Sequence, residues 1–477
     1  MGQSLRLLTT SQTSITLTLQ ARPMRKTFSS LLPLLALGIA LCTSASAQNI
    51  SPQPTSTEVA RTLHTAKGVE VFTTPSDKAI PYRIPAIAQN RKGELVAAAD
   101  LRYSRSDIGI VPNGRIDLVC RISGDKGATW GKEFTIVKGK GADAPDFMNV
   151  GFGDPCIVAD RESDEVLVVS CAGNVSFLYG QRDRHQNMVC MRSHDLGRTW
   201  SKPHDIAEDI YSIFDDASYG PVKSMFMASG RIVQSRQIKV GDYYRIYAAV
   251  LVISKQNVWF NAVIHSDDFG HKWHLLGEKE NIAITSRADE AKVEELPDKS
   301  VLISSRITGG RQYNIYTYED PSSGKGKWAT MAFSGAGNKG VIAEKNACNG
   351  EMLILPVRSR EDGSRNYLLM QSLPLGPGRT NVGIYYKVLR QPSDYSSPEL
   401  IAKDWEGCLQ LTRLGSAYST MIGLSDGQIG FFYEEETHCT PRGGGYTLVY
   451  KKISVEDITS GKYTFDKKPK LKAFLKR

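Results

Sequence analysis

The sequence has little of what many catalytic and binding frameworks are built from. Eight cysteines stand among 477 residues and none forms a CxxC pair. The seven that lie beyond residue 47 are Cys120, Cys156, Cys171, Cys190, Cys348, Cys408 and Cys439. An odd number, mostly inside apolar stretches, points to small buried side chains, with at most one or two bridges, rather than a disulfide framework. No His/Cys/Asp cluster has metal-ligand spacing, and His185, His194, His204, His265, His271 and His274 are scattered over surface or hairpin positions. Neither a metal nor another cofactor is expected. No apolar run approaches the roughly 20 residues of a membrane span, and long helical periodicity is scarce.

Also missing is a basic stripe. The formal charge is +9, but its excess sits at the two ends. Residues 1–47 hold four basic residues and no acidic one, and residues 462–477 carry a net +6. The chain between them is close to neutral, whereas a nucleic-acid binder concentrates positive charge on its folded body; no nucleic acid is expected as a partner. The N-terminal pattern is that of a secretory peptide. It has a short basic segment at Met24-Arg25-Lys26, an apolar run from Leu31 to Cys42, and small residues at Ala45-Ser46-Ala47. It predicts a true start at Met24, removal of residues 1–47, and export to the periplasm or cell exterior. A leader is expected over residues 48–64, a catalytic domain over 65–460 and a solvated basic tail over 461–477, in a monomer.

What is there is repetition. Ser123-Gly124-Asp125-Lys126-Gly127-Ala128-Thr129-Trp130 recurs at Ser193–Trp200 and Ser266–Trp273, with starts 70 and 73 residues apart. Asp and Gly at fixed offsets make a tight turn, the hydroxyl bonds the backbone, and the Trp clamps the turn to its sheet. Ser322 to Trp328 is a degenerate fourth copy without the Asp. Short strands and a repeat of this length predict an all-β fold of four-stranded blades. The 430 residues beyond position 47 accommodate six, hence a six-bladed β-propeller.

Three hairpins then place polar groups at their open ends. About the turn at Asn90-Arg91-Lys92-Gly93, Arg83 faces Asp100, with Arg102 one step further out. About Pro297-Asp298-Lys299-Ser300, Glu290 falls beside Ile307 and diagonal to Arg306. About Ser425-Asp426-Gly427-Gln428, Tyr418 falls opposite Glu435 and next to Glu434. In a propeller such ends converge on the axis, giving a funnel of arginines with Asp107, Glu290 and Tyr418.

With these residues assembled, the chain resembles the bacterial exo-α-sialidases (neuraminidases) over roughly residues 65–455. Tyr82-Arg83-Ile84-Pro85 matches that family's opening arginine motif, the repeats match its Asp boxes, and Gly415-Ser416-Ala417-Tyr418-Ser419 matches the segment around its tyrosine. The resemblance implies that Arg83, Arg306 and Arg365 form a triad for the sialic acid carboxylate, with Arg358 and Arg360 as competitors for the third place. It implies contacts from Arg102 and Asp154 to the O4 side of the sugar. It also implies Asp107 as acid/base, Tyr418 as nucleophile, Glu290 as its base and Glu434 as the carboxylate that orients Arg83.

The chemistry suits these types. Guanidinium groups bind carboxylates bidentately at any working pH. The substrate carboxylate repels an anionic nucleophile, and a tyrosine stays neutral until its base takes the proton; sialidases with a Tyr nucleophile are a known exception to the two-carboxylate scheme. The expected partners are sialylated glycoproteins, glycolipids and oligosaccharides. Trans-sialidase and intramolecular trans-sialidase activity use the same residues, and a non-catalytic sialoglycan-binding propeller needs only the arginines.

Overall fold

The computed structural model describes residues 59–74, 80–438 and 445–467. The leader's first residues, the secretory segment, Cys439 and most of the basic tail lie outside them. Six sheets follow one another along the chain, as the repeat predicted. Blade 1 is Tyr82–Gln89, Leu95–Arg102, Ile116–Ser123 and Phe134–Val137. The inner strands of blades 2 to 6 are Phe152–Ala159, Ser224–Met227, Ala291–Glu295, Met352–Ser359 and Ser416–Gly423. Blade 6 takes its outer strand from the N-terminal side: Val69–Phe72 pairs with Thr447–Ile453, closing the ring. Phe72 is fully buried against the Tyr82 and Phe432 rings, at 5.3 and 6.3 Å, so an apolar contact locks this closure.

The strands read as nearly continuous apolar runs because both faces of each blade are covered by neighbouring blades. Leu95-Val96-Ala97-Ala98-Ala99 is 0 % exposed throughout, and its alanines let adjacent sheets approach closely. The ring extends past both expected domain boundaries. Arg61–Leu63 pairs with Gly407–Gln410, and Tyr463–Phe465 pairs with Met352–Ser359, so residues on both flanks of 65–460 complete blade 5. The six described cysteines are buried and free. No described helix is long and apolar enough to cross a membrane.

The repeated octets occupy the turns between third and fourth strands of blades 1 to 3, at the end away from the funnel. In the first, Ser123 Oγ accepts the Gly127 N–H at 2.8 Å and donates to Asp125 at 2.8 Å. Asp125 accepts the Thr129 N–H at 2.8 Å. The Thr129 hydroxyl, which donates to Asp125 at 2.5 Å, does most to hold the Asp125 carboxyl down at about 2, and the Thr129 N–H and Ser123 hydroxyl add to it. The fourth copy fills the equivalent turn of blade 4, and Asp320, upstream of the expected place, accepts from Ser322 and Ser323 at 2.6 and 2.7 Å.

Candidate active site

In every blade the chain runs down the inner strand and back up the second, so the upper face carries the starts of inner strands and the ends of second strands. Arg83, Asp154, Glu290 and Tyr418 stand at or just before inner-strand starts, while Arg102, Arg306 and Glu434 close second strands. All of these meet at one end of the axis.

Local irregularity aims them. The register of the inner strands breaks between Arg83 and Ala86, Gly153 and Cys156, and Ser416 and Ser419. A bulge inserts one residue and re-aims its neighbours. Two bulge residues are left-handed, Ile84 at φ 58° and Asp154 at φ 56°, at a cost of about 1–3 kcal/mol each. Buried Glu434 offsets part of that: it accepts from Arg83 Nε at 2.6 Å, from the Ile84 N–H at 2.8 Å and from the Tyr418 N–H at 3.0 Å. One carboxylate thus fixes two bulges and the first arginine.

Arg83 faces Asp100, as the turn implied. Glu290 lies one step from its expected place, beside Arg306, whose N–H it accepts at 3.0 Å. The turn there is a three-residue loop centred on Asp298 with Lys299 at φ 79°, which shifts the pairing by one. The turn at 425–427 is likewise a three-residue loop, centred on Asp426 with Gly427 at φ 84°, which moves Tyr418 from Glu435 to Glu434, whose carboxylate accepts its N–H.

At the floor, Tyr418 Oη donates to Glu290 Oε2 at 2.6 Å, and Arg306 donates to Tyr418 Oη at 2.9 Å and to Glu290 at 2.6 Å. Asp289, unforeseen in the sequence, holds Arg306 Nε at 2.7 Å. Burial pushes the phenol well above its usual pKa, outweighing the lowering by Arg306. Beside it, buried Arg102 gathers Asp100 at 2.8 Å, Asp154 at 3.3 Å, and Asp107. Asp107, whose side chain is 68 % exposed, is held below the usual carboxylate range chiefly by Arg102. Burial raises Asp100 to about 6 against the pull of Arg102, and raises Asp154 with Asp100 adding to it. Asp100 was also missed, although its opposition to Arg83 was legible; it bonds Arg102 and the Asp154 N–H.

Arg365 is not part of this constellation. It begins the second strand of blade 5, opposite Arg358, at the lower end of the ring, and pairs with Asp466 at 3.0 Å. Arg358 and Arg360 share that end. The third guanidinium at the site is Arg379, in the Gly-Pro-Gly-Arg turn after that strand. Its central carbon is 5.7 Å from the Tyr418 ring centre, against 5.8 Å for Arg83 and 5.9 Å for Arg306. The signal was chain direction: Arg102 and Arg306 end their strands, whereas Arg365 begins one. Among the described residues no carboxylate pairs with Arg379, which leaves its charge for an anionic ligand. Arg379→Ala is expected to lower kcat/KM on a carboxylate-bearing substrate by about 10²-fold, mostly through KM. Arg365→Ala is expected to stay within about 2-fold, because its pair is a partly exposed one. Steady-state kinetics on both variants checks this.

The pocket encloses about 260 Å³ between this polar floor and an apolar wall of Phe177, Leu178, Phe226, Leu251 and Trp259. Phe177 packs edge-on against Phe226 and Trp259, at 4.9 and 5.1 Å.

Fold and site together define a six-bladed propeller whose axial pocket sets three guanidinium groups around a carboxylate-bonded tyrosine. The chain belongs to the BNR repeat-like domain family, whose model matches residues 111–430. Among curated proteins it is 26 % identical over 373 residues to a sialidase of Micromonospora viridifaciens, covering 75 % of this chain and 50 % of that protein. It is 26 % identical over 257 residues to a sialidase of Bacteroides fragilis, covering 51 % and 42 %. The chain thus spans about half the length of the curated relatives it matches. Among solved structures, a Hadza microbial sialidase superposes with a TM-score of 0.59 at 21 % identity, over 79 % of this chain and 66 % of that one; this likeness concerns the fold.

Proposed function

We propose that the chain is a glycoside hydrolase, an exo-α-sialidase that releases terminal α-linked sialic acid from sialylated glycans with retention of configuration. The observation that carries this reading is the Tyr418–Glu290 hydrogen bond of 2.6 Å lying among three arginine carbons 5.7–5.9 Å from the same ring. Arg83, Arg306 and Arg379 take the substrate carboxylate, which seats the anomeric carbon over the phenol. Glu290 removes the phenol proton as Tyr418 Oη bonds to that carbon, and Asp107 gives a proton to the departing oxygen. Water then attacks from the vacated side, returning its proton to Asp107 while Tyr418 recovers its own from Glu290. Two inversions at one carbon give net retention.

A binding protein needs the arginines but not a phenol poised on a carboxylate, so the Tyr418–Glu290 pair favours turnover. The secretory pattern over residues 24–47 supports an activity outside the cytoplasm. Incubation of the purified protein with a fluorogenic α-sialoside tests the proposal. Release of free sialic acid is the expected result, and no release between pH 4 and 8 overturns it. Adding lactose to the same reaction reads out transfer as sialyllactose.

A further inference from the structure

Large exposed hydrophobic side chains are not spread evenly over the ring. Ten occur among the described residues, and nine of them stand on connections at the upper face, where the pocket opens. Five gather beside its mouth: Ile110 and Val111 at 41 % exposed, Phe147 at 38 %, Leu178 at 51 % and Tyr179 at 72 %. Val258, Phe333 and Leu414 occupy the same face around the ring, in or beside connections that end at the tops of strands. At the lower face the hairpin turns at 90–94, 160–165, 296–300, 360–364 and 424–428 expose none. Single exposed apolar residues are ordinary on a soluble protein; segregation to one face is not.

The cluster is built rigidly. Gly109, at φ 68°, seats the 103–114 loop on its neighbour, where a Cβ would come within 2.2 Å of the Ser176 nitrogen. The Asn113 N–H donates to Asn174 Oδ1 and Asn174 Nδ2 to Asn113 Oδ1, both at 2.9 Å. Ser176 Oγ accepts the Leu178 N–H at 3.3 Å, capping the turn Phe177–Tyr179. These bonds hold the apolar side chains outward.

We infer that this face docks on a lipid–water boundary and that the preferred substrates are sialylated lipids presented there. The substrate half of the inference rests on the sialidase reading; the docking half does not. Continuity with the pocket is the first argument. Ile110 and Leu178 line it together with Asp107, so the leaving group that Asp107 protonates departs along this rim. Composition is the second. A sugar face is gripped by flat rings and free amides, whereas three of the five side chains at this rim, Ile110, Val111 and Leu178, are branched aliphatic, and Asn113 and Asn174 are engaged with each other. Aliphatic side chains with Phe147 among them and Tyr103 and Tyr179 at the edge suit the boundary between headgroups and acyl chains.

The test uses the triple variant Val111→Ser/Phe147→Ser/Tyr179→Ser, none of whose positions lines the pocket. Three substrates are compared: sialyllactose, a soluble sialylated glycoprotein, and a ganglioside in phosphatidylcholine vesicles. Co-sedimentation with phosphatidylcholine vesicles lacking any sialoside is measured in parallel. The expected result is a soluble rate within about 2-fold of wild type, a vesicle rate lowered about 10-fold or more, and weakened co-sedimentation. Tyr179→Trp is expected to strengthen co-sedimentation. Proportionate loss on all three substrates, an unchanged vesicle rate, or a larger loss on the glycoprotein overturns the inference, the last in favour of a protein partner. Wild-type co-sedimentation without sialidase activity, lost in the triple variant, leaves docking standing and removes the sialidase reading instead.

Discussion

Tyr418→Phe is expected to lower kcat/KM toward any α-sialoside by at least about 10³-fold, a loss of about 4 kcal/mol in transition-state stabilisation. The substitution deletes one oxygen. The ring keeps its place among Arg83, Arg306 and Arg379, and Arg306 keeps Glu290 at 2.6 Å and Asp289 at 2.7 Å, so the thermal midpoint should scarcely move. What disappears is the atom proposed to bond to the anomeric carbon. Glu290 is a poor substitute, since its negative charge meets the repulsion of the substrate carboxylate that a neutral phenol avoids. The phenol is held neutral by burial, well above its ordinary pKa, and Arg306 opposes this at 2.9 Å. The proton must therefore leave as the bond forms rather than beforehand, and Glu290 at 2.6 Å is placed to take it. Steady-state kinetics and a thermal scan on the same preparation check both halves. A variant retaining a tenth of wild-type turnover would remove Tyr418 from the nucleophile's role.

Much of this constellation was legible because hairpins carry their own ruler. A turn with a recognisable Gly or Asp fixes which residues face each other, and strand direction fixes which end of the ring they reach. That logic brought Arg83 to Asp100, and Tyr418 and Glu290 to within a residue of their partners. Two physical features defeated it elsewhere. Three-residue loops, with Lys299 at φ 79° and Gly427 at φ 84°, shift register by one, bulges break the pairing near Arg83 and Tyr418, and nothing in the local composition announces either. The third arginine was lost for another reason: motif likeness favoured Arg365 at the head of an apolar strand, while Arg379 sits in a Gly-Pro-Gly turn with no strand pattern. Asp100 and Asp289 hold Arg102 and Arg306, and no motif marks them. The apolar segregation to one face is invisible until topology says which loops share that face.

Asp107→Ala is expected to divide substrates by their leaving groups. Where the departing oxygen is a sugar alkoxide that needs a proton, kcat/KM should fall by about 10²–10⁴-fold. Where it belongs to an acidic phenol able to leave as the anion, the loss should stay near 10-fold or less. The pH dependence follows from the same contacts. Arg102 first, then Arg83 and Arg379, lower the Asp107 carboxyl below its ordinary value of 3.8. An acid catalyst must carry its proton, and above that lowered pKa the protonated fraction of the free protein falls tenfold per pH unit. The kcat/KM profile is therefore expected to decline from the acidic side. In the proposed complex the balance changes, because the substrate carboxylate neutralises Arg83 and Arg379 and withdraws two of the influences that keep Asp107 ionised. Its pKa then rises in the complex, and the falling limb of kcat should lie at higher pH than that of kcat/KM. Profiles of both constants, for wild type and for Asp107→Ala, decide the matter. Equal losses on both leaving groups, or a falling limb that survives the substitution, would assign the proton to another group.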